Sequence, residues 1–300
     1  PDGKASSRPT PLPSGYKRRT DLPPSNSEFP FRKLMGFVSF ISYMCRPDLS
    51  HVLTVMGKQV TCFNQEDEEA AIWLLGYLNK SKDLHLHYKP DTPLRNKLIT
   101  FSDASYSDDG MAVGADVIML NGAAVCWRSY HSKGVKHSTG QAEAEAIYEA
   151  LHNVMFAREL MHEFGFSQEE LSLPIYTDSQ TALKQCLTWK NTSRGSKNYK
   201  LTINFIKEQL AAAKVHLKYV DTKEQLADLL TKHNFTVAQF DQLVEYVLGI
   251  GPRTEHEKFM QAADVSRDSF APRDIDTCDN FQETPVPLEE FVQRKLGRVS

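Results

Sequence analysis

Leu98-Ile-Thr-Phe-Ser-Asp-Ala-Ser105 is an apolar run, β-branched and aromatic, that reads as a strand with an acid, Asp103, set near its end. A lone carboxylate is costly to bury in a sheet unless a cation or hydrogen-bond donors compensate it. Three later stretches repeat the move. Leu173-Pro-Ile-Tyr-Thr-Asp178 is a second apolar run that ends in an acid. Ala142-Glu-Ala-Glu-Ala146 sets acids into an apolar helix, and Gln225-Leu-Ala-Asp-Leu-Leu230 sets Asp228 among apolar residues. Carboxylates that converge from separate segments form a donor set for divalent cations.

Downstream of Ser105 the pattern supplies a sheet. Residues 113–120 and 123–130 read as strands around Asn121-Gly122, a strong hairpin signal. A long helix is expected over 141–164, with Ile147, Leu151, Val154 and Met155 facing inward. A strand at 173–178 follows, then a helix at 179–187 capped by Ser179, and another at 198–213. A fifth strand at 215–220 leads to helices at 223–232 and 235–248. Three strands in a meander, then strands joined through helices, imply an α/β fold: a mixed five-stranded sheet with flanking helices. This domain spans residues 97–249.

Upstream, residues 29–96 read as a small, mainly helical module. Leu34, Phe37, Val38 and Ile41 form one stripe, and Ala71, Leu74, Leu75 and Leu78 another. Asp48 beside Pro47 is placed to cap a helix. Residues 84–88 read as a strand whose His85 and His87 lack an acid or Cys to complete a metal set. Residues 1–28 are a proline-rich linker or arm, and Lys17-Arg18-Arg19 there is a solvated charge run rather than a phosphate contact. Residues 250–300 are polar and expected to be disordered, with Leu288, Phe291, Val292 and Leu296 as a short stripe suited to docking a partner. The abrupt opening at Pro1-Asp2 suggests a fragment of a longer polypeptide.

A net charge of -3 argues against the basic footprint of most nucleic-acid binders, although acids gathered at one site mask basic faces elsewhere. Five cysteines, odd in number and without close spacing, point to reduced thiols in a cytoplasmic or nuclear setting. No signal peptide or long apolar run is present, so neither secretion nor a membrane span is expected.

In the expected topology the fourth strand lies beside the first, because parallel crossovers are right-handed. Asp103, Asp178, Asp228 and an acid in the first turns of the long helix then point at one spot. Four such carboxylates raise each other's pKa, and two bound Mg²⁺ ions would remove that penalty; Mn²⁺ is an alternative. Each acid also has a structural reading. Asp178 is a helix cap, Asp228 an ion-pair partner of Lys232, and Glu143 a solvated side chain. Tyr106-Ser-Asp-Asp109 has the form of a polymerase-palm motif, but Ser107-Asp-Asp-Gly110 reads better as a turn. His131, Lys133, Lys136 and His137 form a loop that is solvated or contacts phosphate. Trp127 suits the core, and Trp189 could stack on sugars or bases.

Four pieces carry a resemblance: Ser102-Asp-Ala-Ser105, Ala142-Glu-Ala-Glu145, Tyr176-Thr-Asp-Ser-Gln180, and Tyr219-Val-Asp-Thr-Lys-Glu-Gln-Leu-Ala-Asp-Leu-Leu-Thr-Lys232. Residues 97–248 resemble the ribonuclease H domain of copia-type LTR retrotransposon Pol polyproteins. Residues from Phe31-Arg-Lys-Leu-Met-Gly-Phe37 to Leu78 look like the thumb and connection of such an element's reverse transcriptase. The order Asp, Glu, Asp, Asp fits ribonuclease H, whereas integrases and transposases of similar fold run Asp, Asp, Glu.

The resemblance implies a ribonuclease H fold and two-metal hydrolysis of the RNA strand of RNA–DNA hybrids, with Mg²⁺ held by Asp103, Glu145, Asp178 and Asp228. It implies two partners, the hybrid and the upstream polymerase palm and fingers of the same polyprotein, and a place in the cytoplasm, in virus-like particles, or in the nucleus. Gly140-Gln141-Ala142 replaces the family's usual Ser-Ser-Thr run, which leaves Glu143 and Glu145 both open as the helical ligand. Glu145 is favoured because the family's helix continues in register from it. The rival reading is a catalytically silent or domesticated copy that serves as a binding or structural subunit.

Overall fold

Strand β1 (Leu98–Tyr106) is the centre of a five-stranded sheet ordered β3-β2-β1-β4-β5, with β2 at Ala112–Leu120, β3 at Ala123–His131, β4 at Leu173–Thr177 and β5 at Val215–Tyr219. The computed structural model describes residues 6–17, 19, 21–89, 96–106, 111–132, 138–166, 173–188, 197–212 and 215–250. All of these fall in one compact unit. β1, β2 and β3 form an antiparallel meander, and β4 and β5 run parallel to β1. The β2–β3 turn carries positive φ at both Asn121 (51°) and Gly122 (89°), the geometry that Asn-Gly favours and that matches the twist of a hairpin. The expected mixed α/β sheet is therefore the observed one.

Alternation along β1 sorts the helices onto two faces. Leu98, with Ile118 and Ile175, packs under α4 (Thr139–Glu163), α5 (Gln180–Leu187) and α6 (Lys197–Ala211). Ile99 and Phe101, with Val117 and Met119, pack under α1 (Phe31–Met44), α2 (Ser50–Met56), α3 (Gln65–Lys80), α7 (Asp228–Thr231) and α8 (Val237–Leu248). The described residues from Phe29 to Leu86 thus share one core with the sheet. The arm is ordered against α3: Trp73 Nε1 donates to Thr10 O at 2.8 Å, Tyr16 Oη donates to Asp67 Oδ1 at 2.9 Å, and Leu12 is buried. Side-chain caps fix the helix starts, with Ser138 before α4, Ser179 before α5, and capping boxes Asn64/Asp67 and Thr236/Gln239 before α3 and α8.

Several expectations are corrected. Residues 84–88 join no strand ladder; their chain instead crosses the end of α8, where His87 N donates to Leu248 O at 2.7 Å. The helix expected at 223–232 is broken into a 3-10 turn (Thr222–Glu224) and the single turn α7. Gln225 causes the break: its Nε2 donates to Ser102 O at 3.1 Å while its Oε1 accepts from Ala227 N, tying the segment to β1 by a side chain. On α1 the inward positions are Phe31, Met35, Val38 and Ser42, so Phe37 points to solvent; Leu75 of α3 does too. A helix apolar on most sides does not declare its inner face. Asp48 caps nothing and is ion-paired with Arg46 at 2.7 Å. The turn Ser107–Gly110, Lys133, Lys136, His137, Trp189 and the stripe within 288–296 lie outside the described residues.

Candidate metal centre

Register brings the first two acids together. Phe101 of β1 is paired with Tyr176 of β4, their rings stacked at 5.3 Å. Two residues beyond that pair stand Asp103, still within β1, and Asp178, just past the end of β4. Asp228 opens α7, and that turn is stitched to the same strand ends. Ser105 Oγ donates to Thr231 O at 2.7 Å, Thr231 Oγ1 donates to Asp103 Oδ2, and Thr222 Oγ1 donates to Asp178 Oδ2 at 2.8 Å. One carboxylate oxygen from each of Asp103, Asp178 and Asp228 lies within 4.8 Å of the others. Among the described residues, this is the one group of three or more acids, His or Cys so arranged.

Of the two acids early in α4, Glu143 is the one whose carboxyl feels the charges of Asp103 and Asp178. Glu143 Oε2 is buried and has no hydrogen-bond partner among the described residues. Burial, and then the charges of Asp103 and Asp178, push its carboxyl up to about 9, even though Lys232 and the Ala104 backbone N–H favour the charged form. Glu145 turns toward the end of β3 and accepts from Ser132 Oγ at 2.5 Å. Residues two apart on a helix are separated by about 200°, so a single helix cannot aim both at one spot. The signal was in the sequence: Glu143 lies one turn before Ile147 on the stripe Ile147, Leu151, Val154, all of which are buried.

Lys232 pairs with Asp228, as its spacing suggests, and reaches Asp103 as well. Its Nζ stands 2.7 Å from Asp228 Oδ1 and 3.5 Å from Asp103 Oδ2. Even so, burial and the Asp103 charge push the Asp228 carboxyl up to about 8. The other candidates are structural. His131 bonds the Thr54 carbonyl at 2.9 Å, Trp127 Nε1 donates to Ser42 O at 3.0 Å, and Arg19 pairs with Asp21.

The residues fit divalent cations. Every donor is a hard carboxylate oxygen, one buried oxygen is unpartnered, and burial and then the neighbouring carboxylates push two of the acids toward their neutral forms. A folded-state pKa raised above the unfolded value means that the native state holds more protons, so its stability falls as pH rises through the folded pKa. Between pH 6.5 and 9 the metal-free protein should therefore lose stability. Glu143→Gln should reduce that loss and melt above the wild type at pH 9 in EDTA. Thermal melts at the two pH values check this; a variant with the same pH dependence as the wild type contradicts it.

No family model matches the chain. It is similar to the Transposon Ty1-ER2 Gag-Pol polyprotein of Saccharomyces cerevisiae, 23% identical over 210 residues, which cover 67% of this chain and 12% of the relative. It is also similar to the Retrovirus-related Pol polyprotein from transposon TNT 1-94 of Nicotiana tabacum, 24% identical over 206 residues, 69% of this chain and 15% of the relative. The chain thus spans a small part of the curated relatives it matches. Among solved structures, LC11-RNase H1 in complex with RNA/DNA hybrid aligns with a TM-score of 0.35 at 19% identity, over 44% of this chain and 92% of that one. RNase H1 from Halobacterium salinarum aligns with a TM-score of 0.33 at 18% identity, over 46% and 96%. No helix among the described residues is long and apolar enough to cross a membrane. The chain is thus similar to a part of these Gag-Pol and Pol polyproteins, and the part described folds as a mixed five-stranded sheet with flanking helices.

Proposed function

We propose that this chain hydrolyses the RNA strand of RNA–DNA hybrids, with divalent cations, Mg²⁺ first among them, held by Asp103, Asp178, Asp228 and Glu143. The observation that carries the reading is the meeting of three buried or half-buried aspartates from β1, the end of β4 and α7 within 4.8 Å. Bound divalent cations supply Lewis-acid stabilisation of the charge that develops on the phosphodiester oxygens. Asp103 and Asp178, fixed by the strand register, set the spacing of the centre. Thr231 and Thr222 orient their carboxylates by donating to one oxygen of each. Glu143 closes the centre from α4. The hybrid is then selected by its shape and its 2′-OH groups rather than by base sequence.

In the same proposal residues 29–96 correspond to a reverse-transcriptase thumb and connection, residues 97–249 to the nuclease, and the partner is the polymerase part of the same polyprotein. The rival, a silent structural copy, is favoured by one observation: Lys232 already sits against Asp228 and Asp103, as a cation would. A cleavage assay on a labelled hybrid separates the two. The full chain should cut the RNA strand with Mg²⁺ and not in EDTA. Asp103→Asn should lower cutting by about 10³-fold while the circular dichroism spectrum is kept, in line with the loss of an interaction made to the reacting centre. Undiminished cutting by Asp103→Asn would refute the assignment, and a wild-type chain inert in Mg²⁺ and Mn²⁺ would establish the silent reading.

A further inference from the structure

Resting on the metal-centre reading above, we propose that Lys232 is a resident counter-ion: it holds the place of a divalent cation in the metal-free protein, is displaced when metal binds, and so sets the affinity of the centre. Three observations carry this. The Lys232 ammonium contacts two members of the aspartate triad at once, Asp228 at 2.7 Å and Asp103 at 3.5 Å, so it stands on oxygens that a metal would need. Its backbone is fixed separately, with Lys232 N donating to Asp228 O at 2.9 Å at the end of α7, so the side chain can leave without unwinding the turn.

The Lys232 side chain is 35% exposed, against 2% for Asp103 and 6% for Asp228, so it lies at the mouth of the centre with a route to solvent. The contrast within the same chain is Arg46–Asp48, where both side chains are sealed, 6% and 0% exposed, and the cation has nowhere to go.

Charge balance gives the direction of exchange. A single ammonium offsets one of the carboxylates gathered from Asp103, Asp178, Asp228 and Glu143. A divalent cation brings twice the charge and coordinates oxygens directly, and it repels the ammonium from the same oxygens. The freed Lys232 side chain then extends into solvent. Metal affinity in the wild type is the intrinsic affinity reduced by the strength of the Lys232 pairing.

The experiment is a Mn²⁺ titration of the full chain, without nucleic acid, followed by electron paramagnetic resonance of free Mn²⁺ and by calorimetry. The wild type is compared with Lys232→Met, Lys232→Gln and the charge-keeping Lys232→Arg. An opposite charge within a few ångströms biases an acid by about one to three powers of ten. Lys232→Met and Lys232→Gln should therefore bind Mn²⁺ about tenfold tighter or more, with Lys232→Arg close to the wild type. In EDTA the two neutral variants should melt below the wild type at pH 8, and saturating Mn²⁺ should remove most of the difference. Unchanged or weaker binding in both neutral variants, with the wild type binding, would overturn the counter-ion proposal and leave the metal centre standing. No Mn²⁺ bound by any of the four proteins would overturn both.

Discussion

Glu143→Gln is expected to abolish hybrid cleavage, with a loss of at least about a hundredfold, while Glu145→Gln stays within a few-fold of the wild type. The floor comes from groups that only orient metal ligands, whose loss typically costs about 10- to 100-fold; removing a ligand costs more. The prediction turns on the helical register of α4. Glu143 shares its face with Ile147 and Leu151 and is biased by Asp103 and Asp178, while Glu145 is engaged by Ser132 at the end of β3. Cleavage rates of the two variants under single-turnover conditions decide between them. Loss in Glu145→Gln with activity kept in Glu143→Gln would restore the assignment favoured by family resemblance and overturn the one drawn from geometry.

The second large effect is on stability. Arg46→Met is expected to cost about 3–5 kcal/mol, because it strands a buried carboxylate. Asp48 is fully buried and is held by Arg46 through Nε at 2.9 Å and a terminal nitrogen at 2.7 Å, with the Tyr77 hydroxyl donating at 2.6 Å. Arg46 in turn donates to the carbonyl and hydroxyl of Ser81, locking the end of α3 to the 3-10 turn at Pro47–Leu49. Against a total of about 5–15 kcal/mol for a folded chain, that loss is severe. Urea denaturation measures it. Asp48→Leu combined with Arg46→Met should recover part of it, since replacing both partners leaves no orphaned charge. A helix cap at Asp48 would behave otherwise: Asp48→Ala would cost about 1 kcal/mol and Arg46→Met almost nothing.

How far the sequence could be read follows from the range of each signal. Strands and their turns are local: β1, the Asn121-Gly122 hairpin and the capped starts of α4 and α5 lie where propensity and turn chemistry put them. Asp103 and Asp178 were legible because each ends an apolar run, and the sheet order β2-β1-β4 needs those runs side by side. Asp228 was legible as an acid among apolar neighbours. Its setting was not, because Gln225 breaks the expected helix through a contact with Ser102, far away in sequence. Between the two helical acids, family register favours Glu145, whereas the stripe of inward residues that α4 displays favours Glu143. Leu34, Phe37, Val38 and Ile41 share one stripe by spacing, and only packing shows that Met35 and Val38 face inward while Phe37 does not. Lys232 was noted as a partner for Asp228, but its second contact, with Asp103, depends on how α7 lies against β1.

The most direct measurement is anomalous diffraction from crystals of the full chain grown with millimolar Mn²⁺. The account predicts a manganese peak bounded by the carboxylates of Asp103, Asp178 and Asp228, with Glu143 turned toward it and the Lys232 ammonium withdrawn. Carboxylates splayed apart, with no manganese among them at that concentration, would contradict it.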